Sequence, residues 1–438
     1  MKSHRRVLVV VAITILALAS ACTSSDSASD ADEPSATSTA ATTEGTPVGA
    51  PPLPNAFTAV IGRTVGPEMA PVYASDGHWH LVYELMLTNA KQVPATIESI
   101  EVLDANDTGR VLKLITAEDI SAETFQLSGR PRLEADSLAL AGDLVLDPNE
   151  STVLFVEMDF DDRADVPDAI VHRLTGMAAT NPGSSEPGPV DYLFVSMPIT
   201  ERVAATISPP LQGDNWMVIN GCCLALGPHR GSIQTVNGDL FNAQRYAIDW
   251  MKIGENGRFY DGDPADVTNW YDYGEPVFAV ADGTVVEVLD ELEDQDPGTL
   301  PDPASITIET VDGNHVILDL GNGVYAFYAH LKLGSVAVAV GDTVTAGQQL
   351  GELGNSGNTS GPHLHLHLMS RPSALAADSI PYGYDDIEFV GDVSETQWEN
   401  TTDDLGDVWD VTPDTRPGLQ RPVLPMDLNV IDFPSTAE

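Results

Sequence analysis

The chain has 438 residues, 20 Lys and Arg against 66 Asp and Glu, and a formal net charge of −46. A surface this acidic repels nucleic acid and anionic lipid head groups, so neither is an expected partner. The length is enough for two domains with real cores, and with only ten histidines and three cysteines the placing of each carries information.

In chain order, the first 21 residues read as a secretory signal. Lys2, Arg5 and Arg6 precede an apolar run from Val7 to Ala19, too short for a comfortable membrane span. Small residues then lead to Cys22 in LASAC, which resembles a bacterial lipoprotein box and predicts a lipidated Cys22 at the mature N-terminus. The sequence therefore predicts an exported protein, lipid-anchored to the outer face of the cytoplasmic membrane. Residues 22–54 contain no aromatic residue before Phe57 and are rich in Ser, Thr, Ala and Pro. Such a segment cannot bury enough apolar surface to offset its ordering entropy and reads as a disordered tether. Its mean reach would be about 30 Å, and roughly 100 Å stretched.

Residues 55–205 read as an all-β domain. In HWHLVYELMLTN, Trp79, Leu81, Tyr83, Leu85 and Leu87 alternate with more polar neighbours, and ATIESIEVLDAND and STVLFVEMDF read as further strands. An immunoglobulin-like sandwich is the expected fold. His78 and His80 fall on the face opposite the apolar one and read as solvated. Residues 206–385 are again strand-rich, in PVFAVADGTVVEVL, SITIETVDGNHVILDLGNGVYAFYAHL and VGDTVTAGQQLGELG, with glycines where tight turns require them. LDELEDQDPGTLPDPAS reads as an acidic surface loop, and 386–438 as an acidic tail that wraps loosely or stays partly disordered. The adjacent Cys222 and Cys223 can form a vicinal disulfide, stay reduced or supply a metal thiolate. His172 and His315 read as solvated or hydrogen-bonded structural histidines.

GPHLHLHL, residues 361–368, places three histidines at single-residue spacing. On a strand, His363, His365 and His367 share one face while Leu364, Leu366 and Leu368 share the other. A row of imidazoles on one face fits a metal site; the alternative is a polar face of an edge strand.

Taken in order, Asp249 in QRYAID, GEPVFAVADGTVVEV, YAHL with His330, and VGDTVTAGQQLGELGNSGNTSGPHLHLHL resemble the lysostaphin-type, or LytM-like, zinc endopeptidases over about residues 245–370. The resemblance implies an antiparallel β-sheet groove that cleaves peptide bridges of bacterial cell-wall peptidoglycan. It also implies zinc bound by Asp249 and His365, with His330 and His363 as a non-ligand catalytic pair. One position departs from the pattern: the family's first ligand, a histidine four residues before the aspartate, is Arg245 here. A guanidinium stays protonated and offers no lone pair to a metal. Three resolutions follow. His229 in GPHRGS folds over the groove, or His367 joins His365 on the metal. Otherwise the domain is a catalytically silent relative that binds wall peptides or activates a partner wall hydrolase.

Overall fold

Strand alternation builds the N-terminal half, and one strand in it has both faces covered. The computed structural model describes residues 50–66, 69–121, 145–200, 204–224, 227–400, 406–414 and 422–434. Cys22, the signal segment and the tether up to residue 49 lie outside the described residues.

Among the described residues, nine strands form two antiparallel sheets: β1 (Val60–Val65), β2 (Val72–Tyr73), β3 (Trp79–Asn89), β4 (Ala95–Asp104), β5 (Asp107–Thr116), β6 (Val145–Leu146), β7 (Ser151–Phe160), β8 (Ala169–Ala178) and β9 (Gly188–Pro198). In one sheet β3 is central, with β1 and β2 along one edge and β7 along the other. The other runs β5-β4-β8-β9, with β6 extending the β5 edge. Leu81, Tyr83, Leu85 and Leu87 of β3 meet Ile97, Ile100, Val102, Ile170 and Leu174 between the sheets. The expected two-sheet sandwich is thus present, and the fold is all-β.

The opposite face of β3 is buried over His80, Val82 and Glu84. Val82 packs into the core of the second domain, Glu84 is 0% exposed and His80 is 4% exposed. This corrects the expectation for His80, whose ring lies between Asp76 at 3.0 Å and Glu157 at 3.1 Å. A strand pattern shows which face is apolar; it does not show that another domain covers the polar one. His172 is buried as well, between the Tyr83 hydroxyl at 2.7 Å and the Val195 carbonyl at 2.8 Å.

The second domain is organised on a ten-stranded antiparallel sheet. Its spatial order is Thr343–Val344, Gly283–Leu289, Asn314–Asp319, Tyr325–Leu331, Leu364–Met369, Ile248–Lys252, Gly213–Ile219, Asn429–Phe433, Glu388–Val393 and Val411–Pro413. Leu364, Leu366 and Leu368 all point into the main core beside Tyr328, Trp250 and Ile248. Each fully buried leucine contributes about 1.5–3 kcal/mol relative to exposure, which fixes the strand's register.

The C-terminal segment departs from the loose tail read from sequence. Asn429–Phe433 is an interior strand of this sheet, paired with both Gly213–Ile219 and Glu388–Val393. Its approach also ties the domains together: Leu424 bridges Ala74, and Asn429 Oδ1 accepts from the Ser75 hydroxyl at 2.5 Å. No helix among the described residues is long and apolar enough to cross a membrane.

Candidate metal and catalytic site

Register brings the first two residues together. The Leu364–Met369 strand lies between Tyr325–Leu331 and Ile248–Lys252, and His365 is directly opposite Asp249 on one side and Ala329 on the other. Asp249 Oδ1 lies 2.9 Å from His365 Nδ1 and 3.4 Å from His363 Nε2. Its other oxygen, Oδ2, lies 3.1 Å from His229 Nε2 and accepts from the Asn220 side-chain amide at 2.8 Å. Burial pushes the Asp249 carboxyl up, but His229 and His363 outweigh it and hold the carboxyl well below the usual range.

His229 reaches the site from a loop. Its Nδ1 faces the carbonyls of Asn220 at 2.7 Å and Ala247 at 3.1 Å, so a proton is held there, and its Nε2 faces Asp249, whose charge outweighs burial and raises the ring; Nε2 is the nitrogen left to bind a metal on losing its proton. Ligand atoms of His229, Asp249 and His365 lie within 4.8 Å of one another, and all three residues are buried.

His367 stands apart from these donors. Its Nδ1 is 2.9 Å from His365 Nε2, on the far side of that ring from Asp249, and Phe327 packs beside it. Of the two candidates for a third metal ligand, His229 therefore lies with the donor atoms, and His367 braces His365 from behind.

His330 and His363 stand next to the cluster with ring centroids 4.6 Å apart. His330 Nδ1 donates to the Ser356 carbonyl at 2.8 Å and His363 Nδ1 to that of Gly361 at 2.9 Å, which leaves both Nε2 atoms for chemistry. His330 has φ of 60°, a left-handed backbone that costs a non-glycine residue energy and that tends to occur at functional sites. The turn behind it requires glycine: Gly313 has φ of 68°, and a Cβ there would meet the Ser356 carbonyl oxygen at 2.1 Å. The two environments differ. Burial, reinforced by His363 and His365, pushes His330 well below the ordinary histidine range. Burial opposes the charge on His363 too, but Asp249 outweighs it and raises that ring. Adjacent groups pushed in opposite directions are suited to acid and base roles.

Arg245, the departure from the expected pattern, points away from this cluster. Its guanidinium is buried against Glu84 of β3, with Nε 2.9 Å from Oε2, and donates to the Val65 carbonyl at 3.2 Å. The positive charge is neutralised in the domain interface.

The peptidase family M23 model matches residues 268–377, a segment that contains His330, His363 and His365. Over those residues the chain is similar to peptidase family M23. Asp249 and His229 lie upstream of the matched segment and are joined to it by the sheet register and the loop just described. Among curated proteins, the chain is 41% identical over 59 residues to the peptidoglycan DD-endopeptidase ShyA of Vibrio cholerae serotype O1 (strain ATCC 39315 / El Tor Inaba N16961), covering 14% of this chain and 13% of that relative. Among solved structures, the catalytic domain of lysostaphin from Staphylococcus simulans is 24% identical, covers 33% of this chain and 80% of its own, and has a TM-score of 0.20. A zinc-containing peptidase from Vibrio cholerae is 14% identical, covers 71% and 85%, and has a TM-score of 0.23.

Three features of this site leave little or no signal in the sequence. Asn220 links two candidate ligands, through its side chain to Asp249 and its carbonyl to His229; its only sequence signal is the Asn-Gly pair, which reads as a turn. Asp272 is a buried carboxyl pushed up to about 8 by burial, with the charge of His363 pulling the other way. Asp294, within the expected acidic surface loop, accepts from the Asn355 backbone N–H at 2.7 Å and the Tyr273 hydroxyl at 2.8 Å. That loop is thereby pinned to the turn behind His330. Cys222 and Cys223 form a disulfide, which removes the thiolate alternative in this state.

Proposed function

We propose that this protein is a zinc-dependent endopeptidase that cleaves peptide bridges of cell-wall peptidoglycan, with His229, Asp249 and His365 as the metal ligands. The observation that carries the reading is the convergence of three donors, His229 Nε2, an Asp249 oxygen and His365 Nδ1, within 4.8 Å. Two imidazoles and a carboxylate are a donor set suited to zinc, and a three-residue set leaves a coordination position open, as catalytic sites require. The tautomers fit as well. His229 has its proton on Nδ1 facing carbonyls, and His365 can hold its proton on Nε2 toward His367, which frees the Nδ1 lone pair.

Zinc bound there supplies a Lewis acid that lowers the pKa of water towards neutrality. The side chains do the rest. His330, kept neutral, takes up at Nε2 the proton of the water that attacks the scissile carbonyl and gives it to the amine nitrogen as the C–N bond breaks. His363, whose Nδ1 is tied to the Gly361 carbonyl, offers Nε2 to the oxygen on which negative charge develops. The His229–Asp249 contact supports catalysis over the silent alternative, because the ligand missing at Arg245 is supplied from another loop.

We also propose export and lipidation at Cys22, which would hold the enzyme on the outer face of the cytoplasmic membrane within reach of the wall. The test of function is zinc content together with release of peptides from purified peptidoglycan. An endopeptidase holds about one zinc per chain and releases peptides until chelated. A chain that binds peptidoglycan with no zinc and no release is the binding module or hydrolase activator instead.

A further inference from the structure

We propose that Glu84, on β3 of the N-terminal sandwich, is a positioning residue for the metal ligand His229, so that the sandwich is part of the zinc site. The inference rests on the ligand set proposed above and extends it to a domain outside the M23 match. Glu84 is 146 residues from Arg230 in sequence, yet its carboxylate accepts from Arg230 Nε at 3.0 Å and from Arg245 Nε at 2.9 Å. These two arginines flank the ligands along the chain: Arg230 follows His229 directly, and Arg245 precedes Asp249 by one strand entry.

Arg230 is held on every side. One terminal nitrogen donates to the Cys223 carbonyl at 2.8 Å, and the other to Tyr83 of β3 at 3.2 Å and Val156 of β7 at 2.9 Å. A guanidinium distributed over two sandwich strands and one carboxylate has no freedom to swing. The peptide that joins it to His229 is fixed in turn, and with it the ring that Asn220 and Ala247 orient. Burial pushes the Glu84 carboxyl up, but Arg245 and Arg230 outweigh it and keep it ionised. A charged residue amid the apolar contacts of a domain interface would be costly to retain for packing alone. Here the same carboxylate neutralises both arginines beside the ligand-bearing segments.

The experiment titrates zinc(II) against a chromogenic chelator with the full chain, for wild type, Glu84→Gln, His229→Ala, the double variant and Val82→Ala. Glu84→Gln keeps the side chain's shape and removes its charge. It is expected to weaken zinc binding about 10- to 100-fold, the range for residues that orient a metal ligand. In the His229→Ala background it should add nothing, because the ligand it positions is gone. Val82→Ala trims apolar packing in the same interface and removes no side chain that bonds Arg230; it should lower the unfolding temperature and leave zinc affinity unchanged. Should Glu84→Gln not fold, Arg230→Lys serves in its place: it keeps the charge opposite Glu84 but lacks the forked donors that reach Cys223, Tyr83 and Val156. Wild-type affinity in Glu84→Gln or Arg230→Lys, or an undiminished loss in the His229→Ala background, overturns the inference while leaving the ligand set standing. Wild-type affinity in His229→Ala overturns the ligand set, and this inference with it.

Discussion

Arg245→His separates a family-pattern view of the site from the one described above. The pattern alone says that an imidazole four residues before Asp249 restores a ligand and raises zinc binding. The structure gives a different result. Arg245 is buried, pairs with the fully buried Glu84, and donates to the Val65 carbonyl. Histidine is too short to keep those bonds, and His229 already faces Asp249 at 3.1 Å. Breaking a buried ion pair by removing one partner costs about 3–5 kcal/mol. The lower end applies, because Arg230 still compensates Glu84 once Arg245 is lost. At roughly 2–4 °C per kcal/mol for domains of this size, the unfolding temperature should fall by about 6–12 °C. Differential scanning calorimetry of the chelated protein measures this, and zinc stoichiometry on the same samples measures the metal. A variant that unfolds at the wild-type temperature, or that binds additional zinc and hydrolyses faster, refutes the reasoning.

Three further outcomes are expected. His330→Ala and His363→Ala should each lower peptidoglycan hydrolysis by about a hundred- to ten-thousand-fold with zinc content retained, whereas Asp249→Ala and His365→Ala should lose both; a wild-type rate in His363→Ala removes that ring from the mechanism. Burial lowers the His80 pKa, but Asp76 and Glu157 outweigh it and raise it from 6.5 to about 9. Its stabilising contribution is therefore complete below pH 6.5 and is lost as pH rises through about 9, so the stability gap between wild type and His80→Gln in urea should narrow across that window, and a pH-independent gap counts against the ion pair. Cys22→Ser should move the full-length protein from the membrane fraction to the soluble one; a wild-type protein that is already soluble, with unmodified Cys22, removes the anchor.

What was legible in the sequence was local. The leucines of GPHLHLHL and the alternation in β3 encode buried faces directly, and an antiparallel register then puts His365 opposite Asp249. His229 was one of two candidates, because loop residues carry no periodicity; only the folded chain shows it with the donors and His367 behind them. The partner of Arg245 was not legible at all: Glu84 lies 161 residues away and sits on what reads as the polar face of a strand. The burial of His80 is hidden for the same reason, since a covering domain leaves no mark on the strand it covers. The last strand, Asn429–Phe433, was missed because it is short and stands among acidic, pattern-poor residues, while its burial comes wholly from distant neighbours.

The most direct test of the account is the zinc content of His229→Ala, measured by elemental analysis after gel filtration in metal-free buffer. In the proposed set, His229 is the residue that would complete the pair formed by Asp249 and His365. The account predicts that wild type retains about one zinc per chain and that His229→Ala retains almost none, with peptidoglycan hydrolysis lost in parallel. Full zinc and full hydrolysis in His229→Ala would contradict it.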